Sequence, residues 1–142
     1  MNRKGMTGMI RLQKWQLDEK RRNLVELEKM RDELHQKLQN LRDELAYEQK
    51  KVAEAPVVSI TYGGYAQQIM ARRENIENSI TEINVSIEDM KDQVAEAFKE
   101  LKKYEIVEQR EQERERTERN QRQQNDLDEL AISMHRRSQN TG

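Results

Sequence analysis

The stretch that decides the fold is IENSITEINVSIEDMKDQVAEAFKELKKY, running from Ile76 to Tyr104. Within it Ile76, Ile80, Ile83, Ile87, Met90, Val94, Ala97, Leu101 and Tyr104 follow one another at spacings of four and three. The mean period is about 3.5 residues, just under the α-helical 3.6. A helix with that stripe must supercoil left-handed around a partner to keep the stripe covered. Such a seam is narrow, so most of the helix surface faces water.

The same rhythm appears upstream. Positions seven apart read Ile10, Leu17, Leu24, Arg31, Leu38, Leu45 and Val52, with Gln13, Lys20, Leu27, Leu34, Leu41 and Glu48 between them. Arg31 interrupts this stripe, and Met30 beside it covers part of the gap. The two striped segments are separated by EAPVVSITYGG, Glu54 to Gly64, which holds the only proline, Pro56, and the only Gly-Gly pair. Proline disfavours helix at Ala55 and removes a backbone donor. The β-branched run from Val57 to Thr61 reads as extended chain.

A short reversal between two helices favours antiparallel neighbours. The fold class predicted is therefore all-α: a long two-helix antiparallel coiled-coil hairpin with an overhanging C-terminal helix. One domain is expected over 1–142, with helix 1 about 9–54, a turn at 55–64, helix 2 about 65–136 and a loose tail at 137–142. Pairing outward from the turn sets Leu45 near Arg73 and Leu17 near Leu101. Beyond Tyr104 the seam positions become Glu108, Glu111, Glu115, Glu118, Arg122 and Asn125, so the second helix should continue as an exposed single helix. A small apolar patch then returns at Leu127, Leu130, Ala131 and Met134. An intermolecular coiled coil, with the break as a kink, is the alternative arrangement.

Composition narrows the function. Of 142 residues 37% are charged and 4% aromatic, with five glycines and no cysteine. That is poor material for the apolar, aromatic pockets of enzymes, and too little glycine and proline for a sandwich or barrel. A formal net charge of -1 gives no footprint for nucleic acid. No run approaches the roughly 18 apolar residues of a membrane span. The basic amino end has no following apolar run, so no secretory signal is expected. The seven cations from Arg3 to Arg22 face only Asp18 and Glu19, which suits either an acidic docking partner or a solvated helix start.

No catalytic constellation emerges. There is no phosphate-binding GxxxxGK[ST] loop, and His35 and His135 lie in separate segments outside any ligand cluster. No cofactor and no metal are expected. The informative features are irregularities in the coiled-coil pattern. Tyr47, Tyr62 and Tyr65 surround the reversal, either as partner anchors or as a cap on the hairpin end. Trp15 lies near the seam at the free end and suits closure of the core against Tyr104 or Phe98. The Leu127–Met134 patch lacks an internal partner, which implies an external one.

These features together resemble the FliJ family of flagellar type III export proteins. The likeness rests on the size, the heptad helix before a Tyr-containing break, the longer second helix and three local motifs. Leu127-Asp128-Glu129-Leu130-Ala131 is similar to the family's closing signature. Tyr62-Gly63-Gly64-Tyr65 followed by Ile69 is similar to its entry into the second helix, and Ile10-Arg11-Leu12 with Leu17-Asp18-Glu19-Lys20 to its amino end. Arg72 departs from the family's small residue, and the Gly-Gly pair is unusual.

The resemblance implies a non-enzymatic, cytoplasmic component associated with the flagellar basal body at the inner membrane. It implies a stalk inserted in the export ATPase hexamer, similar to a rotary ATPase central stalk. It also implies contact with the cytoplasmic linker of the export gate and escort of export chaperones, with membrane association only through the export apparatus. Carried over, export-gate binding would use Leu41, Tyr47, Tyr62, Tyr65 and Ile69. ATPase-ring binding would use Ile10, Arg11, Leu12, Lys14, Leu127, Asp128, Glu129, Leu130 and Ala131. Other readings are the stalk of a related injectisome, a generic coiled-coil scaffold, and a prefoldin-like chaperone. The last would need strands beside the reversal, and only Val57 to Tyr62 could supply one.

Overall fold

The computed structural model describes residues 3–54 and 61–141, all of them helical. Helix α1 runs Arg3–Glu54 and helix α2 runs Thr61–Thr141. Both are dense in Glu, Lys, Arg, Gln and Leu, which lose little rotamer freedom in a helix, and neither contains proline. The two helices pack against each other as an all-α antiparallel hairpin. The reversal predicted at 55–64 falls largely on 55–60, which lie outside the described residues, as do the side chains of Thr61 and Tyr62.

The chain groups into two compact units, Trp15–Phe98 and the pair of segments Met1–Lys14 with Lys99–Gly142. In the first unit the core is Leu17, Leu38 and Leu41 from α1 with Ile69, Ile83, Ile87 and Ala97 from α2. Its two helical segments run antiparallel: Glu44 reaches Tyr65 and Arg72, while Leu34 shares a groove with Ile83. In the second unit Ile10 and Leu101 are buried, and Arg3 meets Glu115 at 3.6 Å. There Met6 lies with Val107 and Glu111 around a cavity of about 370 Å³.

Every seam position read in α1 is buried or half-buried, polar ones included. Gln13, Lys20, Arg31 and Glu48 are half-buried because long side chains cover apolar surface with their stems while their heads reach water. The Arg31 guanidinium does so while donating to Asp32 at 3.3 Å.

Three helix limits differ from those predicted. Helix α1 starts at Arg3 rather than near residue 9, because the apolar rhythm extends back one turn to half-buried Met6. The Thr7 hydroxyl also donates to the Arg3 carbonyl at 2.9 Å, one turn back. Helix α2 starts at Thr61, so Gly63 and Gly64 enter a helix instead of closing a turn. No described glycine has a positive φ, so the pair is not used for its left-handed freedom. At the other end α2 runs to Thr141, without the loose tail predicted from 137. Gln139 hydrogen bonds His135 at 3.1 Å within that last stretch.

Past Glu115, every residue from Arg116 to Asn140 is exposed. This is the overhang, roughly 40 Å of single helix at 1.5 Å per residue. Side-chain pairs one turn apart support it: Arg114 with Glu111 and with Glu118 at 3.9 Å, Gln121 with Asn125 at 3.2 Å, and Gln124 with Asp128 at 3.1 Å. Each such pair contributes about 0.2–0.5 kcal/mol to an isolated helix.

Candidate functional site

The export-gate candidates divide by burial. Leu41 is 3% exposed and Ile69 2%, so both serve the helix–helix core of their unit and offer almost no surface. Tyr47 is 65% exposed on the other side of α1. Tyr65 lies between these extremes. It is half-buried, and its hydroxyl donates to the Glu44 carboxylate at 2.8 Å. Arg72 approaches the same carboxylate at 3.8 Å. Partial desolvation, then the hydrogen bond and negative charge of Glu44, push the Tyr65 phenol up to about 12.

Glu44 was absent from the predicted site, yet it joins the phenol to Arg72. The one-for-one pairing that sets Leu45 beside Arg73 places Glu44 opposite Glu74, so it could not have found this contact, which crosses toward the turn to Tyr65. Arg72 lies on the same side of Glu44 as the phenol and balances its charge.

The ring candidates divide differently. Ile10 is buried against α2, while Arg11, Leu12 and Lys14 are exposed around it. Leu127 and Leu130 are 60% and 56% exposed, and Asp128, Glu129 and Ala131 are exposed with them. The two groups are not brought together. Arg3 already pairs with Glu115, so the Leu127 motif begins about 18 Å farther along α2 than the first described residue of α1. Ile132 and Met134 are exposed beside the motif. Ile132 sits off the stripe, which is why the periodicity did not single it out.

Trp15 does not close the core. It is 59% exposed, because two positions from both Gln13 and Leu17 put it on the face away from the seam, and Phe98, one position from Ala97, is turned onto the flank. Among the described residues, no group of His, Asp and Glu could hold a metal, and no helix is long and apolar enough to cross a membrane.

No curated protein and no solved structure matches the chain. The family described as Flagellar FliJ protein matches residues 4–140, nearly the whole of both helices. With its two packed helices and a match over almost its full length, the chain belongs to the FliJ family of flagellar export components.

Proposed function

We propose that this protein is the non-enzymatic central stalk of the flagellar export ATPase hexamer, that it links the ring to the cytoplasmic linker of the export gate, and that it escorts export chaperones. The observation that carries the reading is the exposed Leu127-Asp128-Glu129-Leu130-Ala131 motif on a stretch of α2 with no partner helix among the described residues. An apolar stripe left bare on a charged helix is a surface for another protein. The exposed cations Arg11 and Lys14 flank the amino end of the same unit and suit an acidic lining in the ring. On this reading the protein works in the cytoplasm at the flagellar basal body, peripheral to the inner membrane.

On this reading the gate surface centres on the accessible members of the five residues first implied. Tyr47 and Tyr65 supply accessible aromatic area, Leu41 and Ile69 lie in the helix–helix core of the same unit, and Tyr62 completes the group by its place in the sequence. The test is ATPase stimulation. Arg11→Glu with Lys14→Glu, or Leu127→Asp with Leu130→Asp, is expected to abolish it, while Tyr47→Ala with Tyr65→Ala is expected to leave it intact and to lose capture by the gate linker. Unchanged stimulation by both ring-end variants would overturn the stalk reading.

A further inference from the structure

We propose that the C-terminal overhang is also a self-recognition surface, on which a second copy of this chain docks antiparallel. The proposal is independent of the stalk reading. It starts from helical geometry at about 100° per residue. Leu127, Leu130, Ala131 and Met134 fall within an arc of about 100°, the width of a coiled-coil face. All four are exposed in the unit that holds them.

The charges beside this face are ordered along the chain. Asp126 and Arg137 border it on one side, and Asp128 and His135 on the other. On each side the acid precedes the base. In an antiparallel helix pair, like flanks oppose each other with the chain direction reversed. Docking a second copy about a two-fold axis near Ala131 therefore sets Asp126 of one chain opposite Arg137 of the other, and Asp128 opposite His135. The axis produces each pairing twice. It also sets Leu130 of each chain against Met134 of the other, so the apolar face covers itself. A parallel arrangement brings none of these acid–base partners together.

At Asp128 and His135 the intrahelical ties are weak competitors. Asp128 accepts one exposed hydrogen bond from Gln124 at 3.1 Å, and His135 shares one with Gln139 at 3.1 Å. An isologous contact of this kind closes on itself and gives a dimer rather than a filament. Its seam covers about two helical turns, well short of the roughly 1,200 Å² of a standard stable interface. The dimer is thus reversible and concentration-dependent. Because it uses Leu127 and Leu130, self-docking and any other engagement of that motif exclude one another.

The test uses the full chain, which has no cysteine of its own. In sedimentation, the mass is expected to rise from 17.0 kDa toward twice that value with concentration. Leu130→Asp is expected to hold it at the monomer, and Asp126→Arg to weaken association about tenfold by setting like charges across the seam. A short thiol crosslinker reads the orientation. Ala131→Cys should crosslink to itself, whereas Gln124→Cys and Ser138→Cys should crosslink only when mixed. A monomeric mass at every concentration overturns the proposal. So does dimerisation that survives Leu130→Asp, or self-crosslinking of Gln124→Cys as complete as that of Ala131→Cys.

Discussion

The Tyr65 hydroxyl and the Glu44 carboxylate, 21 positions apart in the chain, meet at 2.8 Å across the two helices. The bond ties the candidate gate aromatic on α2 to α1. Its pH dependence has a definite sign. A phenol ordinarily ionises near 10, and partial desolvation together with Glu44 raises Tyr65 to about 12. The folded form therefore holds the proton more tightly than the unfolded one. The associated stability is fully present below about pH 10 and is lost as pH rises toward 12. A titration of tyrosinate absorbance should show one late-ionising phenol that disappears in Tyr65→Phe. In Glu44→Gln the same phenol should ionise earlier while staying above the ordinary value, because desolvation remains.

The seam makes a sharp prediction about where α1 and α2 tolerate truncation of side chains. Ile69→Ala or Leu41→Ala should cost about 2–4 kcal/mol, the lost transfer energy plus a cavity that packed helices only partly close. Val25→Ala and Val85→Ala, at exposed positions, should stay within about 0.5 kcal/mol. Chemical denaturation of the four variants checks the contrast. Equal costs would mean that the helices do not pair along this face.

The helical glycines predict a gain. A Cβ built at Gly8, Gly63 or Gly64 meets nothing within 4 Å. Each residue already has ordinary right-handed backbone geometry. Alanine at any of the three should raise stability by about 0.5–1 kcal/mol through lower unfolded-state entropy. Thermal melting of Gly63→Ala and Gly64→Ala measures it. A fall in melting temperature would show that the backbone there does not hold this helical geometry.

A chain ending at Asn125 should lose circular-dichroism helicity in proportion to the residues removed. Its melting midpoint should stay close to that of the full chain in dilute solution. Every described residue that this removes, from Asp126 to Asn140, is exposed, so no core is lost. A drop of more than a few degrees would place hidden packing on that segment.

What the sequence revealed and concealed follows from the physics of a narrow seam. Ile76 to Tyr104 announces its inward face because spacing alone determines which side chains meet another helix. The reading also held where chemistry argued against it, at Gln13, Lys20 and Arg31, because position outranks polarity when a long stem can cover the gap. It failed at Trp15, where an aromatic side chain suggested burial and position forbade it. It failed again at Gly63-Gly64, because two glycines permit a turn without requiring one and the α2 segment beyond them propagates helix back to Thr61. Burial also separates candidates that a motif groups together. Ile69 and Tyr65 share one turn of α2, yet one is core and the other reaches Glu44.

The pairing of Arg3 with Glu115 marks a mechanical boundary inside its unit. On the near side of Glu115, bending α2 means bending two coupled helices, with side chains resisting shear between them. On the far side, among the described residues, only one helix resists, so bending is expected to be easier beyond Glu115. No proline or glycine softens α2 there; the difference arises from the loss of a neighbour. The Leu127 motif therefore lies on a stretch of α2 that, among the described residues, resists bending alone. Lengthening or shortening α1 by a turn would move that boundary without changing a single residue of the stretch.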